Sequence, residues 1–91
     1  MVTAIVFVSA DVARIPEAAA AIADIDGVTE VYSVTGEIDL VVMVRVRDLE
    51  EVATVVTERV DRVPGVLSTQ THVAFRTYSR HDLEAAFSIG S

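Results

Sequence analysis

One short stretch carries side chains and backbone suited to chemistry: Thr35-Gly36-Glu37-Ile38-Asp39. Glycine reaches positive φ without steric cost, so Gly36 suits a tight turn whose amides point outward. Asp39, three residues on, places a carboxylate beside those amides. Donors next to an acceptor make a place where a small polar molecule can bind. The plain alternative is a turn glycine with an aspartate that only holds the turn through a bond to the backbone. Little else qualifies. His72 reads as a strand histidine at an edge or interface, and His81 as an exposed residue in the first turn of a helix. No His/Asp/Glu cluster has metal-ligand spacing, and no nucleophile lies in a recognised motif.

The elements that position the turn are legible from periodicity. After it comes the most apolar run in the chain, with Leu40, Val42, Val44 and Val46 on one face and Val41 and Met43 on the other. A strand apolar on both faces is covered on both faces. In so short a chain the second cover is expected from another copy. Before the turn, strands are expected at Val2 to Ser9 and Val28 to Val34. Between those strands a helix runs from Ile15 to Ile25, with Pro16 in its first turn and Gly27 beyond its end. After the central strand, Asp48 and Glu51 resemble a capping box. They open a helix from Leu49 to Val63 that Pro64-Gly65 stops. A fourth strand is expected from Val66 to Thr77.

The order βαββαβ is the ferredoxin-like pattern, an α+β fold with a four-stranded antiparallel sheet and two helices on one face. Residues 1–77 form this domain. Residues 78–91 read as an appendage, in which Ser79, Asp82, Leu83, Ala86 and Phe87 suggest a short C-terminal helix.

Composition narrows the function. The chain has 91 residues, so it is one domain near the lower limit of independent folding. Aromatic residues make up only 5% against 52% hydrophobic, so the core must be aliphatic. Cysteine is absent, which removes disulfides and thiolate metal sites. All seven basic residues are arginine and the net charge is −7, a balance opposed to binding a phosphate backbone. The apolar start lacks a basic leader and is too short to span a membrane, so the expected location is the cytoplasm.

Taken together, VTGEIDLVVMVRVRD, a helix ending in VPGV, and the strand STQTHVAF resemble the effector-binding (RAM) domain of the Lrp/AsnC feast/famine regulators, over about residues 2–77. The chain starts directly on the first strand, so it is similar to stand-alone members without the helix-turn-helix domain. The resemblance implies sheet-to-sheet dimers gathered into rings, commonly four dimers (an octamer), with amino acids bound between neighbouring dimers. Carried over, the ligand-binding residues are Thr35, Gly36, Glu37 and Asp39 in the turn, with Thr69 and Thr71 on the fourth strand. Amides and hydroxyls would donate to the ligand carboxylate, and Asp39 would accept from its ammonium.

The resulting expectation is a non-enzymatic amino-acid sensor with no cofactor. It would bind no DNA itself and could co-assemble with a full-length relative. Three other readings remain. A dimeric α+β barrel enzyme, such as a cofactor-independent monooxygenase or isomerase, would need a polar pocket between helices and sheet, with His72 and Tyr78 as its acid and base. A purely structural oligomerisation module would bind nothing small. An ACT-type domain would take a similar ligand but pair differently.

Overall fold

The computed structural model describes residues 1–80. Strand β1 (Val2–Ala10) leads through a 3-10 turn (Val12–Arg14) into helix α1 (Ile15–Ala23), then β2 (Val28–Ser33) and β3 (Leu40–Val46). Helix α2 (Leu49–Ala53) continues as a π-helical segment (Thr54–Arg59) and a 3-10 turn (Val60–Arg62) before β4 (Val66–Val73). The sheet order is β2-β3-β1-β4, with every neighbouring pair antiparallel. This is the ferredoxin-like arrangement that the pattern predicts.

The two central strands explain the core. Alternate residues of β1 (Ala4, Val6, Val8, Ala10) and of β3 (Leu40, Val42, Val44, Val46) are buried against the helices, where Ile22, Val52, Val55, Val56 and Val60 meet them. No polar side chain is buried among the described residues. On the other face Ile5, Phe7, Val41 and Met43 are half-buried, although no helix of the described residues covers them. The doubly apolar character of β3 is therefore real, and among the described residues one of its faces has no layer over it.

Several boundaries differ from expectation, each for a local reason. Helix α1 stops at Ala23 rather than Ile25, because Ile25 donates to Ile22 O in a tightened last turn and Gly27 follows at φ +97°. Strand β2 ends at Ser33 instead of Val34. Strand β4 ends at Val73, not Thr77, because its partner runs out: Val73 lies opposite Ala4, Ala74 donates to Thr3 O, and β1 begins at Val2. Phe75 is left 98% exposed.

The second helix is not a uniform α-helix. Thr54 and Thr57 donate their hydroxyls to the carbonyls of Glu50 and Ala53, four residues back. Such bonds compete with the backbone ladder and loosen it where the π-helix begins. The capping box is half made: Glu51 N donates to Asp48 Oδ1 at 2.9 Å, while the Glu51 carboxylate accepts from Arg47 N at 3.4 Å rather than from Asp48. The C-terminal helix expected around Asp82 to Phe87 lies outside the described residues. Among those described, no helix is long and apolar enough to cross a membrane.

Candidate functional site

The β2–β3 turn stands at the end of the sheet where β1 finishes. Thr35, Gly36 and Glu37 are exposed. Gly36 has φ +116°, and no heavy atom lies within 4 Å of where its Cβ would stand. Asp39, half-buried, closes the turn onto β1. Its N–H donates to Val8 O at 2.9 Å, its carbonyl accepts from Val34 N at 3.1 Å, and its Oδ2 accepts from Ala10 N at 2.8 Å. Ala10 sits where the β1–β4 register shifts, so the carboxylate serves an amide at an irregular point of the ladder. The carboxylate thus holds the turn through a long-range bond to β1 rather than a local Asx-type bond. One oxygen holds the fold, and Oδ1 has no partner among the described residues.

The threonines are placed differently. Thr69 and Thr71 lie opposite Val8 and Val6 and share the helix-facing side of the sheet. The Thr69 hydroxyl donates to Asp61 at the end of the second helix, so within one protomer it is not free for a ligand. Thr71 borders an apolar groove of about 270 Å³ against Leu49, Val52 and Val56. Strand β1 separates both threonines from the turn, two inter-strand steps of roughly 10 Å in all. The six predicted ligand residues therefore form two groups that do not converge inside one protomer.

The open face of the sheet has its own polar features. Tyr32 donates to the Glu30 carboxylate, and this hydrogen bond, with minor desolvation and charge effects, raises the tyrosine pKa above the usual phenol value. His72 meets the Phe7 ring edge-on, with centroids 5.1 Å apart. The described residues contain no group of three or more metal-ligating side chains.

Sequence reading missed a cleft at the opposite end of the sheet. It has a volume of about 340 Å³ and lies between the Asp26–Gly27 turn and the second helix, over Val46 and Val55, with Glu51, Thr54 and Arg59 along its helical wall. The sequence hint was slight: Asp26 and Gly27 read only as a helix terminator, and a π-helix has no periodic signature.

Comparison with known proteins follows the geometry. The Lrp/AsnC ligand binding domain family matches residues 3–83. An uncharacterised HTH-type transcriptional regulator of Pyrococcus furiosus is 44% identical over 61 residues, covering 67% of this chain and 41% of that protein. The chain thus spans less than half the length of the curated relatives it matches. The crystal structure of TTHA0845 from Thermus thermophilus superposes with a TM-score of 0.83 at 45% identity, covering 88% of this chain and all of that one. A feast or famine regulatory protein from M. tuberculosis, solved in complex with L-methionine, gives a TM-score of 0.72 at 27% identity, over 88% of this chain and 54% of that one.

Proposed function

The chain belongs to the Lrp/AsnC ligand-binding domain family, and from that premise we propose a non-enzymatic, amino-acid-responsive module that assembles through the open face of its sheet. The supporting observation is Gly36. A Cβ there would meet no described residue, so the amides of the turn are open to a ligand. An α-amino acid is the natural visitor, since the turn amides suit a carboxylate and Asp39 Oδ1 suits an ammonium. The relative complexed with L-methionine points to the same ligand class. Because the turn and the β4 threonines lie apart within a protomer, a neighbouring copy completes the site.

Assembly has its own support in Ile5, Phe7, Val41 and Met43, an apolar patch that no helix of the described residues covers. A second copy seated face to face would bury it, and a ring of dimers, such as an octamer, would bring turns of one dimer beside another. The helix-to-sheet interior favours this reading over an α+β barrel enzyme. It is filled by aliphatic side chains, and His72 lies on the opposite face. This chain binds no DNA specifically, because its net charge of −7 repels phosphate. Any effect on transcription would come through a partner such as a full-length relative.

The test is a thermal-shift and calorimetric screen of the twenty amino acids on the intact chain. Asp39→Asn is the control of choice. An asparagine oxygen can still accept from Ala10, whereas Asp39→Ala removes the clasp as well as the charge. Binding should weaken roughly tenfold or more, the scale of one charge-assisted hydrogen bond. Light scattering should show no monomer for the wild type, and Met43→Arg should release one. A wild-type monomer, or no thermal shift with any amino acid, defeats the proposal.

A further inference from the structure

We propose that the cleft at the Gly27 end is a second small-molecule site, contained within one protomer, for an aliphatic α-amino acid whose carboxylate meets Arg59 and whose ammonium meets Glu51. The inference is independent of the site at Gly36. The cleft touches Val46, which pairs with Val2 at the start of β1, whereas the Gly36 turn bonds to Val8 and Ala10. Val2 and Val8 are six strand steps apart, roughly 20 Å.

Three observations converge on the cleft. Three charged side chains line it, Asp26, Glu51 and Arg59, and the last two are weakly partnered by the described residues. Arg59 Nη1 donates one long bond, 3.4 Å, to Asp26 O, and the described residues place no carboxylate within ion-pair distance of it. The Glu51 carboxylate likewise accepts only one long bond, 3.4 Å, from Arg47 N. Opposite charges that share a cleft without pairing leave room for a ligand that carries both. Two charge-assisted bonds would then form where two long ones stood.

The π-helical segment supplies the second observation. Thr54 and Arg59 are five residues apart, and at 3.6 residues per turn an α-helix would set them about 140° apart, on different faces. The π-helix closes its bonds between residues five apart and turns less per residue, which narrows that angle and brings the two nearer one face. Both line the cleft. The departure from α-helix favours the placement of both side chains on this wall, and single π turns of that kind recur at functional sites.

The floor is the third. A Cβ on Gly27 would come within 3.0 Å of Val46 Cγ1 and 3.1 Å of Val55 Cγ2. The glycine lets the turn approach these valines, and their methyl groups give an apolar base for a short aliphatic side chain. A volume of about 340 Å³ suits a ligand of that size.

The experiment uses the full chain with labelled valine methyl groups, titrated separately with L-alanine, L-valine and L-leucine. Isocaproate, lacking the ammonium, and isoamylamine, lacking the carboxylate, are the controls. Saturable shifts of the Val46 and Val55 methyls are expected with at least one amino acid and with neither control. Arg59→Gln and Glu51→Gln should each weaken that binding roughly tenfold or more, while Asp39→Asn should leave it unchanged. If none of the three amino acids moves these methyls, or Arg59→Gln binds like the wild type, the site does not exist. Equal binding of isocaproate would overturn the zwitterion assignment. Loss of binding in Asp39→Asn would show that the response is transmitted from the Gly36 turn.

Discussion

Gly27 and Gly65 both follow helices at φ +97°, and at each an added Cβ would collide: with Val46 and Val55 in the first case, with Arg14 Cβ at 2.9 Å in the second. Gly36 takes the same kind of conformation at φ +116° with nothing near it. The first two are required by the fold twice over, for backbone freedom and for close approach. Gly36 is required only for backbone freedom, since a Cβ there would meet no described atom within 4 Å. The contrast separates two glycines that the packing of the domain requires from one that only the shape of its own turn requires.

The sharpest way to break this comparison is to add the missing methyl. Gly65→Ala should cost most, about 3 kcal/mol from backbone strain and overpacking together. In a domain of this size that lowers the melting temperature by about 10–20 °C. Gly27→Ala should follow closely, since valine methyl groups yield more readily than the Cβ of Arg14. Thermal and denaturant melts of both would reverse the ranking with Gly36 if the contrast were false.

Asp39→Ala comes next. It leaves the Ala10 amide without its acceptor and should lower stability by about 1–2 kcal/mol. Asp39→Asn should recover most of this, because the bond survives. A neutral result for Asp39→Ala in denaturant melts would mean that the carboxylate does not hold the turn. Gly36→Ala should cost about 1 kcal/mol, from φ alone. Its effect on amino-acid binding, measured by calorimetry, should exceed its effect on folding, the reverse of Gly27→Ala. The smallest change expected is Thr69→Val. Its hydroxyl bonds to Asp61 at an exposed position, so the loss should stay below about 1 kcal/mol.

What could be read from the sequence depended on whether a feature repeats. Strand β3 is legible because Leu40, Val42, Val44 and Val46 alternate with Val41 and Met43: the first set is buried against the helices, while the second is only half-buried. The helices were legible for the same reason, with Ala18 and Ile22 in one and Val52, Val56 and Val60 in the other ending up buried. Features that depend on a single bond or on a partner's length were not legible. The end of β4 is set by where β1 starts, which no pattern within Val66–Thr77 records. The π turn arises from two threonine hydroxyls that could equally have faced water. Of the candidate site, the turn at Gly36 was read correctly as exposed. The engagement of Asp39 with Ala10 and of Thr69 with Asp61 links residues far apart or on different elements, and periodicity is blind to both.

The strand order also governs how the domain can come into being. Strands β1 and β2 are consecutive elements but not neighbours; β3 lies between them. The first half of the chain therefore has no sheet of its own to form, and Val6 waits for Val42 to be present. Closing that long loop precedes most of the reward, which places folding in the slower range of mixed α/β domains rather than that of helical bundles. On the ribosome, an emerging β1-α1-β2 segment carries its valine-rich strand unpaired until β3 follows, and that interval is when the chain is most open to association with others like it.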